Sequence, residues 1–205
     1  MHQDLRPSAA LPRADQEDVW LAGVARKPSP NFNRRPEGVD VELLVIHNIS
    51  LPPGEFSGNY IEQFFTNCLD HSYHPFFKEI EGIEVSAHLL VRRDGSLIQF
   101  VPLNQRAWHA GQSSFQGRKN CNDFSIGIEL EGTDTCPYTD EQYRALARVT
   151  DEIRHYYPKI TTDNIAGHNE IAPGRKTDPG QAFDWVRYRN QVKGMISHSN
   201  EDNQT

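Results

Sequence analysis

Val41-Glu42-Leu43-Leu44-Val45-Ile46-His47 is an almost unbroken apolar run that ends on an imidazole. Such a run suits a strand covered on both faces, where neither side carries a regular set of polar residues. Side chains alternate along a strand, so His47 shares a face with Leu43 and Val45. Further along, Val85 to Val91 and Ser96 to Val101 flank Asp94-Gly95, a two-residue hairpin signal. Phe124-Ser125-Ile126-Gly127-Ile128-Glu129-Leu130-Glu131 alternates. Phe124, Ile126, Ile128 and Leu130 fall on one face; Ser125, Gly127, Glu129 and Glu131 fall on the other. Ile165-Ala166-Gly167 reads as a brief strand.

Helical spacing takes over between these strands. Thr139 to Tyr157 is the clearest case: Thr139 and Gln142 form a capping-box pair, and Tyr143, Leu146, Thr150, Ile153 and Tyr157 make one stripe before Pro158 ends the run. Shorter helices are expected over about Asn59 to Cys68 and about Phe183 to Val192. A hairpin is antiparallel by construction, so the fold class is α/β: a single domain with a central mixed β-sheet flanked by helices. Residues 1–17 read as a flexible leader, 18–196 as the domain and 197–205 as a polar tail.

At 205 residues the chain can bury a substantial core, and 24% charged with 37% hydrophobic residues describes a globular protein. A net charge of -7 opposes binding to nucleic acid, which needs basic contacts to phosphate, and to anionic membranes. Cys68, Cys121 and Cys136 form neither an even set nor a CxxC pair, so they are expected as free thiols. The first twenty residues contain no apolar run of the signal-peptide kind. The expected compartment is the cytoplasm.

The chemistry gathers where strands end. Gly167-His168-Asn169-Glu170-Ile171-Ala172-Pro173-Gly174-Arg175-Lys176-Thr177-Asp178-Pro179 places an imidazole, an ammonium and a carboxylate in a turn-rich segment. His47, His168 and Asp178 would supply nitrogen, nitrogen and oxygen to one zinc ion, leaving a position open for water. Lys176, two residues before Asp178, would stand beside that ion and could stabilise an oxyanion. Glu129 and Glu131 are both candidates for acid/base work, and the pattern does not choose between them. Each residue also has a structural reading. With nine histidines in the chain, His47 could be a packed core imidazole, as could His88. His71, His74, His155 and His198 read as surface or loop residues. Lys176 and Asp178 could form a solvated ion pair, and the two glutamates could be exposed on an edge strand.

Five segments carry a resemblance: Leu44-Val45-Ile46-His47-Asn48-Ile49-Ser50; Ser86-Ala87-His88 with Arg93-Asp94-Gly95; Arg106-Ala107-Trp108-His109-Ala110-Gly111; Gly127-Ile128-Glu129-Leu130-Glu131-Gly132-Thr133-Asp134; and Gly167-His168 with Arg175-Lys176-Thr177-Asp178-Pro179-Gly180. In this order they resemble the AmpD-type N-acetyl-anhydromuramyl-L-alanine amidases, zinc enzymes related to T7 lysozyme and to peptidoglycan-recognition proteins. The resemblance covers about residues 18 to 193. It implies one Zn²⁺ held by His47, His168 and Asp178, Glu129 rather than Glu131 as the acid/base group, and Lys176 as the oxyanion partner. It further implies hydrolysis of the lactyl–L-alanine amide of anhydromuramyl peptides in cytosolic cell-wall recycling, with no obligate protein partner. Asn48 and Trp108 are then expected to contact substrate, although Trp108 could be core packing. Family members tend to be basic where this chain has Glu84 and Asn120, and Arg118 or Lys119 are the nearby substitutes. The stretch from Leu51 to Glu81 is a candidate flap. The alternative function is a non-catalytic module that binds peptidoglycan fragments.

Overall fold

A computed structural model describes residues 17–56 and 58–201. Almost all of the expected leader, and residues 202–205 of the tail, lie outside the described residues. The main sheet has six strands: β1 (Ala25–Arg26), β2 (Leu43–Ile49), β3 (Leu89–Val91), β4 (Leu97–Gln99), β5 (Ser125–Glu131) and β6 (Ile165–Gly167). Their order across the sheet is β1-β4-β3-β5-β2-β6. β3, β5, β2 and β6 run parallel; β4 is antiparallel to β3 and parallel to β1. The expected mixed sheet is therefore present, with the Asp94-Gly95 hairpin as its antiparallel step. The described residues also form two small two-stranded sheets and five α-helices: α1 (Tyr60–Phe65), α2 (Pro75–Glu79), α3 (Asp140–Tyr156), α4 (His168–Ile171) and α5 (Trp185–Glu201).

Strand alternation separates the two faces. Leu44 and Ile46 of β2, Leu89 and Val91 of β3, and Ile126, Ile128 and Leu130 of β5 join Leu146, Val149 and Ile153 of α3 and Tyr188 and Val192 of α5 in one buried cluster. Full burial of each aliphatic side chain contributes about 1.5–3 kcal/mol. α3 opens with the expected capping box: Thr139 Oγ1 accepts from the Gln142 N–H at 3.1 Å, and Gln142 Oε1 accepts from the Thr139 N–H at 3.1 Å. The final helix runs past the expected end near Val192 to Glu201.

The opposite face carries Leu43, Val45, Ala166 and Ile171 in one cluster, with Ala110, Cys121 and Phe124. Alternation placed Phe124 with Ile126; it packs on this side instead, because it follows the 3₁₀ turn Cys121–Asp123 and precedes the strand. Leu90 points the same way into a second cluster with Ile61, Phe64, Phe65, Phe77 and Phe100. The Leu51–Glu81 segment thus packs on this face, tied down further by ion pairs from Lys27 and Arg92 to the buried Glu62.

Candidate metal centre

The sheet register sets the site. Leu90 of β3, Glu129 of β5 and His47 of β2 are lateral neighbours in one row. Gly167 of β6 pairs with Ile46, so His168, the next residue, arrives beside His47. β5 lies between β3 and β2 and is no edge strand. Asp178 is drawn back to this point because its carbonyl accepts from the Asn169 N–H at 2.9 Å, closing the loop that begins at His168.

His47 Nδ1, His168 Nδ1 and Asp178 Oδ2 stand 2.9, 3.1 and 3.0 Å from one another. Ligands at about 2.0–2.1 Å from a tetrahedral centre would be about 3.3 Å apart, so the triangle is close to the size a zinc ion requires. Both imidazoles are buried. His168 Nε2 lies 3.1 Å from the Ala110 carbonyl, which can only accept, so the proton is on Nε2 and Nδ1 presents a lone pair. The carboxylate beside it also brings lone pairs. A set of convergent acceptors fits a cation, and among the described residues these three are the group suited to hold a metal ion.

Electrostatics supports the same division of labour. Burial lowers the His47 pKa to about 4, which keeps the ring neutral and able to ligate. Burial alone would raise the Asp178 pKa, but the His168 and His47 rings beside it outweigh that and hold the group well below the usual carboxylate range. Glu129 goes the other way: burial pushes its pKa well up, Asp178 adds repulsion, and only Lys176 pulls down. Its Oε2 is sealed from solvent without a hydrogen-bond partner. Glu131 is differently employed, accepting from the Arg93 N–H at 3.0 Å and facing Arg92 at 3.5 Å. Lys176 is solvent-exposed, yet its charge is felt at both His47 and Glu129.

Asn48 and Trp108 are half-buried near these groups in sequence, but their polar atoms are otherwise engaged. Asn48 Nδ2 donates to Asp134 Oδ1 at 2.9 Å, and Trp108 Nε1 donates to Asn33 Oδ1 at 2.7 Å. The Asp134 loop is itself locked to the metal-side loop. A Cβ on Gly180 would collide with the backbone of Asp134, the Ala182 N–H donates to the Asp134 carbonyl at 2.9 Å, and Tyr138 Oη donates to the Pro179 carbonyl at 2.8 Å. Glu84 and Asn120 are exposed, while Arg118 is engaged by Glu42 at 3.2 Å and lies over the Phe124 ring. His88 is a fully buried core residue. His71 is half-buried and His155 exposed, while half-buried His74 accepts from the Phe76 N–H to cap α2; the side chain of His198 lies outside the described residues.

Sequence reasoning passed over three residues near the centre. His109 Nδ1 touches His47 Nε2 at 2.9 Å. Asn122 Oδ1 accepts from the N–H groups of His109 and Ala110, at 3.1 and 2.8 Å. Arg35, half-buried, with its pKa lowered to about 10 by desolvation, donates to the carbonyls of Leu103, Asn122, Asp123 and Ser125. The one available sign was His109 within the Arg106-Ala107-Trp108-His109-Ala110-Gly111 segment, whose spacing alone suggests no ligand.

Comparison with known proteins agrees with this architecture. The family model for N-acetylmuramoyl-L-alanine amidase matches residues 37–181. The 1,6-anhydro-N-acetylmuramyl-L-alanine amidase AmpD of Escherichia coli K12 is 58% identical over 173 residues, covering 84% of this chain and 94% of the relative. A crystal structure of a selenomethionine AmpD derivative superposes with a TM-score of 0.83 at 56% identity, covering 86% of this chain and 98% of that one. The amidase AmiD from Escherichia coli, solved in complex with the substrate anhydro-N-acetylmuramic acid-L-Ala-D-gamma-Glu-L-Lys, is 28% identical with a TM-score of 0.55, covering 77% of this chain and 60% of that one. With the family model spanning most of the sheet and the whole of the loop that carries His168 and Asp178, this chain belongs to the N-acetylmuramoyl-L-alanine amidase family.

Proposed function

We propose that this chain is a zinc-dependent amidase that cuts the amide between the lactyl group of anhydro-N-acetylmuramic acid and the L-alanine of a stem peptide, in cytoplasmic peptidoglycan recycling. The observation that carries the reading is the convergence of His47, His168 and Asp178 beside Glu129, whose Oε2 has no other partner. The substrate class follows the named activity of the AmpD relative. The cytoplasm is supported by Cys68, Cys121 and Cys136, all free thiols.

Two imidazoles and one carboxylate are the protein ligands that would hold a zinc ion in a site open to solvent or substrate. When bound, the ion would supply Lewis acidity, making water a better nucleophile and a carbonyl more electrophilic near neutral pH. Glu129 takes the proton from the attacking water. Its raised pKa makes it basic enough to accept that proton and acidic enough to return it to the departing L-alanine nitrogen. Lys176, whose charge reaches the same point, stabilises the oxyanion that the carbonyl becomes. Trp108, its indole N–H fixed on Asn33, offers a ring face to sugar or peptide, and Asn48 orients groups next to His47. No covalent enzyme intermediate is needed, and no partner protein.

The test pairs two measurements on purified protein: elemental analysis for zinc and mass spectrometry of anhydromuramyl tripeptide after incubation. About one zinc per chain with release of free peptide is expected. Tight binding without release would instead establish a fragment-binding module.

A further inference from the structure

We propose that His109 is a positioning residue that fixes the tautomer of His47, so that Nδ1 of His47 is presented as a bare metal ligand. The inference rests on the metal reading above and deepens it.

A chain of contacts forces each proton in turn. Ser125 Oγ lies 2.6 Å from the carbonyl of Cys121, which has no proton to give, so the hydroxyl proton points there. The same Oγ lies 3.0 Å from His109 Nε2 and, its one proton committed, can only accept. His109 Nε2 therefore carries a proton. A second proton on Nδ1 would create a buried cation, and among the described residues no carboxylate contacts this ring to offset it. His109 Nδ1 is thus an acceptor. It stands 2.9 Å from His47 Nε2, which must donate, and a neutral His47 then keeps its lone pair on Nδ1. That atom belongs to the triangle with His168 and Asp178.

The backbone keeps this relay in place. Asn122 Oδ1 clasps the amides of His109 and Ala110 together. The same two residues therefore orient both ligand rings: His109 through its side chain, Ala110 through the carbonyl that accepts from His168 Nε2. The strand beneath is cut to fit, since a Cβ on Gly127 would overlap the His109 ring at Cγ and Nδ1. Metal-binding histidines depend on such partners for tautomer and orientation, and losing one typically costs about 10- to 100-fold in affinity.

Zinc affinity, read by competition with a chromophoric chelator, and ¹⁵N imidazole shifts of the full-length protein provide the test. The parent spectrum should show the Nε2–H tautomer for both His109 and His47. A proton on His109 Nδ1 would overturn the proposal without any variant being made. His109→Phe keeps a planar ring but removes the acceptor, and should weaken zinc binding by roughly 10- to 100-fold. His109→Asn, which restores an acceptor oxygen near the position of Nδ1, should recover most of that loss. Unchanged affinity in His109→Phe, or no recovery in a folded His109→Asn, also overturns it. If the parent protein takes up no zinc, the metal reading itself fails, which is a distinguishable result.

Discussion

The two faces of the sheet are held by different physics. On the α3–α5 side the buried partners are nearly all apolar, and burial itself is the driving force. On the other side four imidazoles, those of His47, His88, His109 and His168, are taken out of water together with the carboxyl oxygen of Glu129. Each of those groups would cost free energy to bury alone, and each imidazole has a partner, His88 included: its Nδ1 accepts from the Gly127 N–H at 3.0 Å. Glu129 Oε2 is the exception, on the strand position that pairs with His47. The comparison shows a fold with apolar packing on both faces and its buried imidazoles gathered on one.

The sharpest way to break that division is Asp178→Ala. Removing a ligand should drop zinc content to background and activity with it, while α3 and α5 stay packed; circular dichroism with elemental analysis checks both halves. Next in size is Glu129→Gln, which should retain zinc yet lower the rate by roughly 10²–10⁴. Its control is Glu131→Gln, where the carboxylate serves Arg92 and Arg93; a larger rate loss there than at Glu129 would reverse the assignment. On the apolar face Leu146→Ala should cost about 2–5 kcal/mol in denaturant unfolding and leave kcat unchanged for the protein that remains folded.

Acid should act through the polar face. Burial lowers the pKa of His47 to about 4 and of His88 to about 3, whereas unfolded histidine titrates near about 6.5. The unfolded chain therefore binds protons first, so this stabilisation is complete above about pH 6.5 and drains away as the pH falls toward 4 and then 3. Metal-free protein should lose stability on the order of a few kcal/mol across that window, by urea titration at stepped pH. A flat profile would mean that these rings are solvated. The smallest effect belongs to Thr139→Ala, about 1 kcal/mol for a lost N-cap, with no change in zinc affinity.

Much of the apolar face was legible because it obeys local rules. Leu44 and Ile46 alternate, Leu146 and Ile153 keep helical spacing, and Thr139 with Gln142 announces a helix start. His47, His168 and Asp178 were legible for a different reason: two sit where apolar runs end, and the third follows in a loop of breakers. Choosing Glu129 over Glu131 needed more than pattern, since both share a strand face and only the sheet register shows that Glu129 adjoins His47. His109, Asn122 and Arg35 were not legible. Their partners lie on other segments, as His47 does from His109 and Leu103 from Arg35, and no local periodicity encodes a contact made across the fold. The end of α5 was missed because its last turns are polar, and polarity alone does not stop a helix.

The fit of Gly180 against Asp134 has a consequence for anyone grafting loops at this end of the sheet. Asn48 is held by Asp134, and Asp134 leaves no room for even a methyl on the loop behind Asp178. The two loops therefore form one mechanical part. Transplanting residues 133–138 from another scaffold without residues 178–182 would pair surfaces that were never shaped to each other, so a graft here should exchange both stretches at once.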